Sequence, residues 1–440
     1  MSLYLDETTL KDLSIFHQDD SKSVFEKFNF TRTVGGSMYL RNFFASPAEG
    51  LDAINSVQQL LKTILAFNDK WPVQIGNGTI FIMEKFCSDP YSGYSSTDGY
   101  ITRLGFQLTN SSEYSMLKFG LKIFNEFFRG LRVIHEQLIP HELPVPFDRY
   151  KSIMTEVFKE TTIIELADLN AGHEFTSKEI FYFAHFLRVS FINHIKEAID
   201  IYQQLEAYHS LALGIQKYRL TFPTVNNYNH PVFEATGLRH LMVDEAKSYN
   251  VSLTEKKALL FLTGSNMSGK STFIKSVALS LYLAHLGMAV AADNLQLGLF
   301  DGLSTNLNIE DDISKGQSYF FNEVKRIKEI TERVKENSRW MILIDEIFKG
   351  TNVIDAMKCS IEVISGFSRV KNSVFIISTH FFEIAKDLKH LDNISFRYME
   401  TIVDEDRFRF TYQLKQGVSN EHIGYSIMKR EGVVDLLRCL

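Results

Sequence analysis

The sequence has little cysteine, and its proline stops short of the second half's end. Three cysteines in 440 residues, Cys87, Cys359 and Cys439, are widely separated and odd in number. That excludes a disulfide framework or a cysteine-rich zinc site and fits a reduced compartment. All eight prolines lie at or before Pro231. None falls between Phe147 and Phe222, so that window can hold long helices. No run of about 18 apolar residues occurs, so no transmembrane helix and no membrane partner is expected. The opening MSLYLDETTLKDL carries early acids and no apolar core, unlike a signal peptide. The expected location is the cytoplasm, at the nucleoid if the source is bacterial. Positive charge is not in excess: the formal net charge is −6, so any nucleic acid must be met by local basic patches.

What is present divides near Phe222. At 45% hydrophobic and 23% charged, the chain can build two or three domains with cores. Before that point the pattern is helical. Ile180, Phe183, Leu187, Phe191, Ile195, Ile199, Tyr202 and Leu205 recur at three- and four-residue steps. A helix from about Ser177 to Tyr218 would be roughly 60 Å long, a lever rather than a compact core element. Glu113 to Leu138 is its candidate partner. Ser88 to Asp98 reads as a loop. After Pro223, short β-rich runs appear at 258–264, 340–346 and 373–380, alternating with amphipathic helical segments. The expected organisation is a mostly helical domain over 1–222 and a P-loop α/β domain over 223–440, with no internal repeat.

Residues 264–271 read GSNMSGKS, which fits G-x-x-x-x-G-K-[ST] between an apolar strand and a helix. Gly264, Ser265, Asn266, Met267, Ser268 and Gly269 would turn backbone N–H groups toward phosphate oxygens, and the helix N-terminus from Lys270 to Thr272 adds partial positive charge. Lys270 would reach the outer phosphates of ATP, and Ser271 would ligate Mg²⁺. Met341 to Ile344 lead into Asp345 and Glu346. A buried strand ending in two acids needs a compensating charge, which Mg²⁺ supplies at Asp345. Glu346 is then placed to orient or deprotonate the attacking water. His380 ends a third apolar strand and could sense the γ-phosphate. Tyr249 is a candidate to stack on adenine.

Together, TGSNMSGKST, DDISKGQSYFFNEV, LIDEIFKGTN and STHFFE, in that order, resemble the ATPase domain of the MutS family of DNA mismatch-repair proteins, an ABC-type ATPase. The likeness implies that Ser318, in a signature segment at Asp311 to Val324, crosses a dimer interface to the γ-phosphate held by the other copy. It makes His380 the family's switch histidine and places Gly350, Thr351 and Asp355 near the partner's site. HIGYSIMKREGV at 422–433 is similar to the family's closing segment. LDETTLKDL at 5–13, TRTVGGSMYLRNFFASP at 31–47 and LEAYHSLALGIQKYRLTFP at 205–223 resemble its helical core and lever. Ser265, Ser268, Tyr319, Phe348 and Lys349 depart from the family pattern. Phe348 puts a bulky ring beside the catalytic edge and is expected to affect turnover more than binding.

The resemblance implies an ATPase that closes as a homodimer around two ATP molecules and acts on DNA in mismatch repair or related structure recognition. The mismatch-reading and connector domains have no counterpart in this sequence, and the DNA clamp is expected to be reduced. Duplex or branched DNA would therefore be read by shape. Lys118, Lys122, Arg129 and Arg132 share one predicted helix, where a solvated charged face is the simpler reading. The alternative is an ATP-locked scaffold with slow hydrolysis and a protein partner. A phosphoryl-transferring kinase is disfavoured, because kinases use neither the signature segment nor the STH strand.

Overall fold

The computed structural model describes residues 2–17, 19, 23–89, 99–307, 319–335, 338–404, 407–419, 428–429 and 432–438. It is a mixed α/β protein that falls into two compact units. One comprises Met1–Lys27, Ser46–Asn55 and Tyr218–Leu440, the other Phe28–Ala45 and Ser56–Lys217. Most of the loop expected at Ser88–Asp98 and most of the closing segment 422–433 lie outside the described residues. No helix of the described residues is long and apolar enough to cross a membrane.

Among the described residues the first unit has eleven strands: β1 (Tyr4–Leu5), β2 (Thr224–Asn226), β3 (Phe233–Leu238), β4 (Tyr249–Leu253), β5 (Leu259–Thr263), β6 (Asn294–Gly298), β7 (Gly302–Asn306), β8 (Trp340–Ile344), β9 (Val374–Ser378), β10 (Ile394–Asp404) and β11 (Arg407–Gln416). Seven of them form one sheet in the order β1-β7-β8-β9-β5-β10-β11. Its neighbours run parallel except β10 and β11, which are antiparallel. Every residue of β5, β7, β8 and β9 is buried. That explains why their sequences are apolar runs rather than alternating ones: helices cover a parallel sheet on both faces. Register pairs Leu259 with Phe375 and Met341 with Val374. The carboxyl ends of β8, β9 and β5 therefore lie side by side, at the edge where open α/β sheets hold ligands. A second sheet has the order β2-β6-β3-β4.

The N-terminal residues belong to this unit. β1 pairs parallel with β7, Tyr4 opposite Gly302. Asp6 then caps the helix Glu7–Asp12 by accepting the Thr9 N–H at 2.8 Å. Its other oxygen lies 2.7 Å from Arg326 Nη1 and 2.6 Å from Arg333 Nη1. Burial works against the Asp6 charge, but hydrogen bonds from Arg326, Arg333 and Thr9 outweigh it and hold the carboxyl far below the usual range. Asp12 accepts from Thr305 Oγ1 at 2.7 Å and from the Leu307 N–H at 3.0 Å.

The second unit is helical. The expected partner helix runs Ser111–Leu138. All eight residues of the stripe predicted along 177–218 are buried, but the helix is not continuous. A helix at Ser177–His185 passes into a π-helical turn at Phe186–Ser190, and a second helix covers Ile192–Tyr218. The π turn re-aims the chain where aromatic rings crowd. Phe191 stacks on Phe186 at 5.3 Å and meets the edge of Phe128 at 6.2 Å. The uninterrupted stretch is 27 residues, about 40 Å. Glycine governs another contact. A Cβ at Gly36 would stand 2.1 Å from Glu206 Oε2, and one at Gly35 2.2 Å from the Gln203 amide. Only hydrogen fits there, so the helix Val34–Ala45 can approach Ile192–Tyr218. Buried Glu206 accepts the Arg32 N–H at 2.8 Å and the Thr33 hydroxyl.

Lys118 and Lys122 both pair with Glu174, at 2.6 and 2.5 Å, and Arg132 pairs with Asp168. The solvated, locally neutralised face is the arrangement seen.

Candidate nucleotide site

The loop after β5 has the form a phosphate needs. Gly264 and Gly269 adopt φ of 141° and 102°, and Met267 is left-handed at 67°. A side chain at Gly269 would be strained and would press on the Tyr412 ring at 3.2 Å. Gly269 is also the N-cap of the helix Lys270–His285, with no side-chain cap. The first N–H groups of that helix are thus left for a ligand. Ser265 and Ser268 are buried while Asn266 and Met267 are exposed. Ser265 Oγ is 2.9 Å from Thr401 Oγ1. Ser268 Oγ is buried with no hydrogen-bond partner among the described residues.

Lys270 reaches back over the loop, donating to the Gly264 and Ser265 carbonyls at 2.8 and 3.1 Å. Burial pulls its ammonium below the usual lysine range, and the Asp345 and Glu346 carboxylates pull the other way. A buried cation whose hydrogen bonds go to two neutral carbonyls can take an anionic partner in their place, so these residues fit a polyphosphate. The Ser271 hydroxyl donates to Asp345 Oδ2, and the Ser378 hydroxyl donates to Asp345 Oδ1. Among the described residues no three His, Cys, Asp or Glu side chains converge as a metal cage. Ser271 and Asp345 offer two oxygens, which suits Mg²⁺, an ion that keeps water and substrate phosphate as its other ligands. Thr272 lies in the first turn of the same helix.

Glu346 lies at φ 57°, its N–H bound to Ser378 Oγ at 2.9 Å. Its carboxylate meets His380 Nε2 at 2.7 Å and Lys349 Nζ at 3.3 Å. The His380 hydrogen bond, against an opposing contribution from burial, holds the Glu346 carboxyl down at about 2. The structure therefore brings Lys270, Ser271, Asp345, Glu346 and His380 to one sheet edge. Ser318 and the signature residues 311–318 lie outside the described residues.

Two sequence expectations change. The Phe348 ring does not stand beside the catalytic edge. At φ 56° the residue is turned into the core, 3% exposed, with its ring 5.8 Å from Phe320. Tyr249 is buried in β4 with its ring edge-on to Phe273 at 5.2 Å, so it presents no open face for a base. Asp355 is engaged locally, donating its N–H to Asn352 Oδ1 at 3.0 Å at the start of the helix Val353–Ser368.

Two residues that the sequence reading gave no role hold the site. Ser378 bonds both Asp345 and the Glu346 backbone. Glu323, in the helix Tyr319–Val334, is buried and accepts the N–H groups of Lys349 and Gly350 at 3.2 and 3.1 Å. A signal for Glu323 was present: with Phe320, Ile327, Ile330 and Val334 it falls on the apolar stripe of its helix, where a carboxylate must have partners.

Residues 260–436 match the family model of MutS domain V. The chain is 24% identical over 413 residues to the DNA mismatch repair protein MutS of Petrotoga mobilis, covering 89% of this chain and 48% of that protein. It is 22% identical over 515 residues to the DNA mismatch repair protein MutS of Pseudothermotoga lettingae, covering 97% and 62%. Over 250 residues it is 27% identical to the DNA mismatch repair protein MutS of Streptococcus pyogenes, covering 56% and 29%. The chain thus spans less than two thirds of the length of each of these relatives.

Proposed function

We propose, for a chain that belongs to the MutS family, that it binds and hydrolyses ATP with Mg²⁺ and works as a dimer on DNA, in mismatch repair or related recognition of DNA structure. The observation that carries this reading is the meeting of the phosphate loop, the acidic pair and Ser378–His380 at the ends of three adjacent parallel strands.

The loop 264–269 and the helix N-terminus cradle the phosphates. Lys270 exchanges its two carbonyl partners for phosphate oxygens. Ser271 and Asp345 would hold Mg²⁺, which when bound would neutralise charge on the outer phosphates. Glu346, whose carboxyl is held low by His380, accepts a hydrogen bond from the attacking water and orients it. With a carboxyl pKa of about 2 it is a weak base, so orientation is the larger part of its role. His380 holds Glu346 in place and would register whether the γ-phosphate is present through that contact.

A second copy suits the apolar side chains exposed on the elements that carry the site. Met267, Val353 and Ile354 are 75%, 60% and 66% exposed, more apolar surface than a catalytic edge needs for itself. Ser318 would then complete the partner's nucleotide site. In this reading residues 223–440, with the N-terminal strap, form the ATPase. The helical residues before 223 carry closure to the DNA, which is met through its backbone and shape.

The test is the rate of phosphate release from MgATP, measured alone and with duplex, single-stranded and branched DNA. Hydrolysis that DNA changes supports the reading. A rate indifferent to every nucleic acid removes DNA from it, and no hydrolysis at all removes the ATPase.

A further inference from the structure

We infer that Glu323 is a positioning residue for ATP hydrolysis: its buried carboxylate holds the turn that presents Glu346. The inference rests on the ATPase reading above. Glu323 is 2% exposed, and among the described residues its hydrogen bonds come from backbone N–H groups, with the Lys349 charge nearby. Its two oxygens take separate N–H groups, those of Lys349 and Gly350. Burial raises the carboxyl above the usual range, and the backbone donors of Gly350, Lys349 and Phe348 with the Lys349 charge offset only part of that. A carboxylate kept in an apolar stripe on such terms is there for the geometry it imposes.

That geometry is specific. Between Ile344 and Thr351 the chain uses left-handed backbone twice, at Glu346 and Phe348, a conformation that costs roughly 1 kcal/mol or more per residue and persists only when neighbours over-determine it. The turn is fixed at both ends. Ser378 takes the Glu346 N–H at 2.9 Å, and its backbone carbonyl takes the Ile347 N–H at 3.2 Å. Glu323 takes the next two available donors after Phe348. Between those anchors the Phe348 ring is buried and Lys349 Nζ comes within 3.3 Å of Glu346 Oε2. Without Glu323, the N–H groups of Lys349 and Gly350 lose their partners and the turn relaxes toward right-handed backbone. Lys349 then leaves Glu346, and the water-orienting carboxylate loses one of its two supports. The phosphate loop lies on another strand and is untouched, so the inference separates turnover from binding.

The experiment compares wild type with E323Q and E323A in the full chain. It measures MgATP turnover, affinity for a non-hydrolysable ATP analogue, and hydrogen exchange of the peptide spanning 345–352 without nucleotide. Glutamine keeps one acceptor and turns a second donor toward a backbone N–H. Alanine removes both acceptors. The expected result is a fall in kcat of about tenfold in E323Q and more in E323A, analogue affinity within about threefold of wild type, and exchange in 345–352 at least several-fold faster with the rest of the α/β unit unchanged. Turnover at the wild-type rate in either folded variant overturns the inference. So does a loss of affinity that parallels the loss of kcat, which would mark Glu323 as a general structural residue. If E323A does not fold, E323Q decides on the same readouts. If the wild type binds ATP but never hydrolyses it, the ATPase reading fails, and unchanged exchange in E323Q overturns the positioning role independently.

Discussion

His380 Nε2 lies 2.7 Å from Glu346 Oε1, so the histidine at the end of β9 holds the acid at the end of β8 before any nucleotide enters. Replacing His380 with alanine removes the hydrogen bond that most strongly lowers the Glu346 carboxyl. Its pKa should rise from about 2 toward the ordinary glutamate value of 4.5. The sign is fixed: a raised pKa moves the loss of the carboxylate to higher pH. Titration of the Glu346 carboxyl carbon by NMR in H380A should show it, with kcat reduced about tenfold or more and ATP affinity little changed. A carboxyl that still titrates near 2 would mean that Lys349 alone suffices.

Lys270 predicts a separation of binding from stability. K270M keeps the stem but removes the charge that the outer phosphates would meet. ATP affinity should fall about 100-fold, about 2.7 kcal/mol. Without ATP the variant should be at least as stable as wild type, because a buried ammonium held by two carbonyls is replaced by an apolar group. Calorimetric titration and urea denaturation measure the two effects.

Asp345 should act through Mg²⁺ rather than through the loop. D345N preserves shape and removes the charge between Ser271 and Ser378. Wild-type affinity for ATP should tighten when Mg²⁺ is added. In D345N it should be nearly the same with and without the ion, read by titration in magnesium and in chelator.

Acid should weaken the fold through buried histidines. Burial pushes His285 down to about 4 and His209 to about 3. Both are neutral when folded, while the unfolded chain takes up protons near 6.5. Their contribution is complete above about 6.5 and is lost as pH falls toward those depressed values. Urea midpoints should drop steadily from pH 7 to 5. His285 Nε2 accepts the Phe300 N–H at 3.0 Å, and Nδ1 lies 3.0 Å from the Leu281 carbonyl. His285→Leu should therefore lower stability by about 1–3 kcal/mol at pH 7.5 and flatten part of the acid slope.

The helical unit has its own test in Gly36→Ala. The added methyl meets Glu206 Oε2 at 2.1 Å. Forcing it in should cost about 1–3 kcal/mol, seen as a lower urea midpoint, while affinity for ATP stays the same.

The parts legible in the sequence were those that one segment specifies by itself. GSNMSGKS can be read because phosphate chemistry dictates residue types at fixed spacing. LIDE can be read because an apolar strand ending in acids is rare without a cation. The helical stripe from Ile180 to Leu205 was visible as burial, but the π turn within it was not, since aromatic packing around Phe191 decides it. Phe348 looked disruptive because its sequence neighbours are candidate catalytic residues, whereas its backbone conformation turns the ring inward. The supports of the site were hidden for a different reason. Ser378 and Glu323 act on residues far from them in sequence, and β1 is a two-residue strand whose partner is remote. Such contacts become visible only after the sheet order is known.

The pairing of β1 with β7 also sets an order of assembly. Among the described residues β1 lies at one edge of its sheet, and its neighbour β7 follows the entire helical unit in sequence. Until then Asp6 has neither arginine, and afterwards β7, Arg326 and Arg333 depend on residues at the far end of the chain. The Asp6 pairs can form only when the helix Tyr319–Val334 is present.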